Sequence, residues 1–159
     1  MIDPGPLIDP GSLVDPGSLV DHHCHGLATE ELDRDGFEAL MNEADHASPG
    51  TSLFDSMLGV AIRRWCAPVL DLEPHAGAEE YLARRAELGV AEVNRRLVRA
   101  AGIGTFLVDT GLVPDRLTTP QELAAIAGGT SHEVVRLEAV AEAALDSGVS
   151  AERFADHVE

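Results

Sequence analysis

The chain has no lysine: its eleven basic residues are all arginine. A Schiff base, a P-loop lysine and a carbamylated lysine bridging two metals each need a primary amine, so all three are excluded. Basic charge is scarce altogether, 11 residues against 28 acidic ones, for a formal net charge of -17. Such a field repels polyphosphates and anionic bilayers, which excludes nucleic acid and membrane surfaces as partners. The two cysteines, Cys24 and Cys66, are too few for a disulfide framework. One of them lies among histidines, where a thiol is useful only when reduced, and a cytoplasmic location is therefore expected. Neither a run of about 18 apolar residues nor a basic-then-apolar amino-terminal segment is present, so no membrane address is expected.

What remains is a globular balance, 159 residues with 45% apolar and 25% charged, enough for one domain with a real core. Its start is repetitive. Ile2-Asp3-Pro4-Gly5-Pro6-Leu7 is followed by Ile8-Asp9-Pro10-Gly11-Ser12-Leu13 and Val14-Asp15-Pro16-Gly17-Ser18-Leu19. Asp-Pro-Gly is a turn signal, and three short turns bury no continuous core. Residues 1–19 are expected to be a flexible leader, and residues 20–159 the folded domain.

Three helical stretches are predicted next. Residues 29–44 open on cap candidates Thr29 and Asp33, residues 52–66 stop at Pro68, and residues 78–101 carry a long apolar stripe ending before Gly102. Residues 103–109 are apolar nearly throughout and halted by Thr110-Gly111, as a strand covered on both faces should be. Residues 118–127 read as a helix with Pro120 in its first turn, residues 132–138 as a strand, and residues 139–145 and 151–158 as helices. Strands alternating with helices imply an α/β fold around a parallel sheet.

The chemistry concentrates in Val20-Asp21-His22-His23-Cys24-His25-Gly26, at the end of an apolar run. In a regular strand Asp21, His23 and His25 share one face while His22 and Cys24 share the other. Two imidazoles two residues apart can grip one ion, and neutral imidazole is the commonest protein metal ligand. A bulge in this segment would change which side chains face the ion. Cys24 reads as a small core hydrophobe, and Cys66 likewise. His46, His132 and His157 read as solvated, and His75 as solvated or as a neutral hydrogen-bonding group before the long helix.

A strand ending Asp21-His22-His23-Cys24-His25 resembles the first strand of the metal-dependent amidohydrolase superfamily. Gly50-Thr51-Ser52, Arg63-Arg64-Trp65-Cys66-Ala67-Pro68, Leu107-Val108-Asp109-Thr110-Gly111 and Glu133-Val134-Val135-Arg136-Leu137-Glu138 are similar to its nodulin-like and glutamine-synthetase-associated branch. The resemblance covers residues 19 to 159 and implies the amino-terminal portion of a (β/α)8 TIM barrel, with further ligands and the catalytic aspartate beyond this stretch, no catalytic residue within it, and a stretch that need not be active alone. It implies that His23 and His25 hold a divalent metal, zinc first among them, and that a metal-activated water attacks a carbon–nitrogen bond of a small-molecule substrate. Asp21 would support the ligands or cap the strand end. Asp109 and Glu138, placed at the carboxyl ends of the second and third strands, would face substrate or anchor loops. The other reading is a non-catalytic acidic module that binds a metal or a partner, and open sheet edges in a barrel portion favour self-association.

Overall fold

The computed structural model describes residues 19–42, 48–111, 116–148, 150 and 153. The leader up to residue 18, His46, His157 and most of the helix expected at 151–158 lie outside the described residues.

Three parallel strands, β1 (Leu19–Cys24), β2 (Ile103–Asp109) and β3 (Thr130–Val134), form one sheet in the order β1-β2-β3. The fold is α/β, as the alternation of apolar runs predicts. Between β1 and β2 come α1 (Arg34–Ala39), a 3-10 turn (Leu53–Asp55), α2 (Met57–Ala61), a π turn (Ile62–Cys66), α3 (Ala67–Val69), α4 (Ala78–Leu88) and α5 (Val90–Ala100). After β2 come α6 (Pro120–Ala127), β3 and α7 (Leu137–Asp146).

Several boundaries depart from the sequence expectation for local reasons. The long helix over 78–101 is two helices, because Gly89 takes φ 77 and ψ 154 and closes α4 with its N–H on the Arg85 carbonyl. The first helix shrinks to 34–39 and is capped by Asp33, whose carboxylate accepts from the Gly36 amide. Thr29 is not a cap but part of an extended segment, its N–H on the Arg116 carbonyl at 3.1 Å. Pro68 does not end the helical run over 57–69; it sits in the first turn of α3, where its missing N–H costs nothing. The third strand runs 130–134 rather than 132–138, since its pairing ends where β2 ends, at Asp109 opposite Val134. Glu138 is therefore in the first turn of α7 and not at a strand end.

Two apolar cores result. The helices between β1 and β2 gather Phe54, Leu70, Tyr81 and Val93 into one, with Cys66 packed on its edge. Phe106 and Val108 of β2 join Leu123 of α6 in the other, with Cys24 and Val98 against it. Leu97 and Val98, neighbours on α5, serve one core each and tie the two together. Helix α6 is set by a full capping box between Thr119 and Glu122, with Pro120 in its first turn. No helix among the described residues is long and apolar enough to cross a membrane.

Candidate metal centre

In a parallel sheet, laterally paired residues share a face. Phe106 and Val108 point into the helix-covered core, so Thr105, Leu107 and Asp109 point to the opposite face. Register carries this rule across to β1. Asp21 pairs with Phe106 and Cys24 with Val108, three steps of β1 against two of β2. The extra residue is a bulge. It places Asp21 and Cys24 both at core-side positions, and it corrects the expectation that Asp21 shares a face with His23. The Asp21 carboxylate instead accepts from the His23 backbone N–H at 3.2 Å, within the bulge rather than at the strand end. Cys24 lies against the sheet core with its thiol on the Leu107 carbonyl at 3.7 Å, and burial pushes that thiol's pKa up.

His23 and His25 flank the bulge's end and come to the carboxyl edge of the sheet beside Asp109. Their rings stand nearly perpendicular, at 85°, with centroids 5.0 Å apart. Asp109 Oδ2 lies 3.9 Å from His23 Nε2 and 4.0 Å from His25 Nδ1. One ligand atom from each of the three residues falls within 4.8 Å of the others. Two imidazoles and one carboxylate form a donor set suited to zinc or another first-row divalent ion, and three protein ligands leave a position for water. Tetrahedral zinc spaces such atoms about 3.3 Å apart, so the cluster closes slightly around an ion. His23, half-exposed, is the ligand with room for that movement. His25 Nδ1 also sits 3.2 Å from the Asp109 carbonyl oxygen. With the proton on Nδ1 it donates there and leaves the lone pair on Nε2, whereas the Nδ1 that stands 4.0 Å from Asp109 Oδ2 ligates only in the other tautomer.

Asp109 is the one buried charged residue among the described residues, 4% exposed. Its charge is held by Arg136, whose Nε donates at 2.9 and 3.0 Å to the two oxygens and whose Nη2 donates at 2.8 Å to Oδ2. The Gly111 amide donates to Oδ1 at 2.9 Å. Arg136 first, then this amide, hold the Asp109 carboxyl well below the ordinary range, at about 2. Asp109 is thus ionised whenever imidazoles are in their neutral, ligating form.

The loop leaving the site is fixed by backbone geometry. Gly26 takes φ 92, and a Cβ there would stand 2.7 Å from the Thr118 carbonyl oxygen. This close approach lets Leu27 and Thr118 exchange hydrogen bonds, Leu27 N–H to Thr118 Oγ1 at 3.0 Å and Thr118 N–H to the Leu27 carbonyl at 2.8 Å. Residues just after His25 are thereby clamped to the segment before α6.

The expected site residues therefore separate. His23, His25 and Asp109 converge, Asp21 serves the backbone, and Glu138 is exposed on α7. His75 is exposed and held only through its backbone, its carbonyl accepting from Arg63 Nη2 at 3.0 Å. His132 is exposed on β3 beside Leu107. Arg136 was missed because an apolar run placed it in mid-strand; the signal available was a lone basic residue among acidic and apolar neighbours in a chain of net charge -17. No family model, curated protein or solved structure matches the chain.

Proposed function

We propose that this chain is a metal-dependent hydrolase of the amidohydrolase type, acting on a carbon–nitrogen bond. The observation that carries the reading is the convergence of His23, His25 and Asp109 within 4.8 Å at the carboxyl ends of two adjacent parallel strands. Barrel enzymes assemble their chemistry at that edge. The consecutive, parallel order β1-β2-β3 also supports reading the three strands as the opening strands of a (β/α)8 barrel.

A zinc ion, when bound here, lowers the pKa of a coordinated water toward about 7 and polarises a substrate carbonyl. The chain's own part is positional. His25 is oriented by the Asp109 carbonyl, Asp109 is kept anionic by Arg136 and Gly111, and the Gly26 turn holds the ligand strand's end in place.

Calorimetric titration of the full chain with zinc is expected to show one site, weakened at least about tenfold in His23→Ala and in His25→Ala. With zinc loaded, small amides are expected to release amine, and the two variants are not. Zinc binding that ignores both substitutions overturns the site. Zinc binding at the three residues without turnover of any amide leaves this chain, by itself, a metal-binding module.

A further inference from the structure

Arg136 does more than hold Asp109. A guanidinium has five N–H donors in a rigid planar fork. Asp109 takes Nε–H, shared between its two oxygens, and one hydrogen of Nη2. The other Nη2 hydrogen and both on Nη1 have no partner among the described residues. The side chain is 40% exposed, so these donors are open to solvent. One edge of the fork is thus immobilised on a buried carboxylate and the far edge is open, beside the candidate metal ligands.

Gly111 builds this arrangement. A Cβ at position 111 would lie 2.5 Å from Arg136 Nε, 2.8 Å from Cδ and 2.9 Å from Cζ. A Cβ there would push the arginine out of the position in which it lies across this turn and reaches Asp109. The position thus carries a guanidinium seat in addition to a backbone amide.

Charge decides what the open edge receives. Asp109 and Arg136 cancel and ligating imidazoles add nothing, while Glu138, close enough to act on Arg136, sets one negative charge beside the fork, so a site loaded with a divalent ion carries one net positive charge. A monoanion is drawn to such a site, and a planar carboxylate matches the fork with two parallel hydrogen bonds. A dianionic phosphate fits less well, because Asp109 stands against the same guanidinium and repels the second charge.

We propose that Arg136 is the carboxylate receptor of this site, selecting small acids that carry an ionised carboxylate a few bonds from the carbonyl to be attacked. The proposal rests on the metal-site reading and narrows its substrate class. In it Arg136 touches the substrate through Nη1 and Nη2 while Nε keeps its bond to Asp109.

The test uses the full chain, without metal and loaded with zinc, and three probes: N-acetylglycine, its neutral analogue N-acetylglycinamide, and inorganic phosphate. The ionised probe is expected to bind at least about tenfold tighter than the amide in both forms, more so with zinc, and tighter than phosphate. Arg136→Gln is expected to erase this preference, and Arg136→Lys to keep part of it through charge alone. Gly111→Ala, which displaces the guanidinium without removing it, is expected to weaken N-acetylglycine more than N-acetylglycinamide. Equal binding of the two acetyl probes, an unchanged preference in Arg136→Gln, or tighter binding of phosphate overturns the proposal. Should zinc fail to bind at all, the metal reading falls by itself, and the metal-free measurement still decides the role of Arg136.

Discussion

Replacing Asp109 by Asn separates a metal site built by the fold from one carried by a short peptide. His23 and His25 are two residues apart, so a pair made of them alone is offered equally by the folded and unfolded chain. Asp109 lies 84 residues beyond His25. Bringing it to the pair in the unfolded chain costs about 4.6 kcal/mol of loop-closure entropy for a loop of that length. That corresponds to about 2,000-fold weaker binding by the unfolded state. Free zinc at 100 times the dissociation constant then stabilises the native protein by about 2.7 kcal/mol, with little drawn back by the unfolded form. At about 3 °C per kcal/mol for a chain of this size, the melting temperature rises by about 8 °C. Asp109→Asn removes the long-range ligand and leaves the local pair, so its zinc-induced shift is expected to fall below about 2 °C. The assay is thermal unfolding followed by circular dichroism, with and without zinc, comparing shifts rather than absolute midpoints. A full 8 °C shift in the variant, or none in the unsubstituted protein at that saturation, refutes the reasoning.

The remaining predictions concern charge and packing. The Asp109 carboxyl is held at about 2, below its unfolded value of about 3.9, so its stabilising contribution is complete above about pH 4 and is lost as pH falls toward 2. Carboxyl carbon resonances followed during acid titration should place its midpoint near 2, and Arg136→Gln should raise that midpoint; an unmoved midpoint would show that the guanidinium is not the cause. A Cβ at Gly59 would stand 2.3 Å from the Leu53 carbonyl oxygen and 2.4 Å from Phe54 Cα, both backbone atoms. Gly59→Ala, which in an open helix stabilises, is here expected to cost about 1–3 kcal/mol and to lower the melting temperature by about 3–9 °C; a midpoint equal to or above the parent's contradicts the close packing.

The parallel sheet was readable because β2 is a nearly continuous apolar run closed by Thr110-Gly111, and such a run needs no partner to be recognised. Its edges were not. Val134-Val135-Arg136-Leu137 is as apolar and branched as a strand, yet pairing stops at Val134 because β2 offers nothing beyond Asp109. Strand length here is a property of the neighbour, which lies more than twenty residues away in the sequence. The division of the long helix at Gly89 was hidden in a similar way. Its apolar stripe continues through the break, and only the positive φ of the glycine reveals that α4 and α5 are separate.

The candidate site divides along the same line. The spacing of His23 and His25 is local, and the two ring centroids stand 5.0 Å apart. Asp109 was marked by its place at a strand end, although as a substrate-side or anchoring group rather than a third ligand. What no local pattern shows is the bulge between Asp21 and Cys24, because a bulge is defined by two residues of β1, His22 and His23, standing opposite one of β2, Leu107. That single extra residue decides the chemistry. Without it the alternation would give Asp21 the face of the imidazoles. With it Asp21 registers on the core side, and the carboxylate beside the two rings comes from β2 instead. The consequence is electrostatic as well as geometric: a ligand on β2 sits against Arg136, past the end of β3, and that arginine is what keeps a buried carboxylate charged.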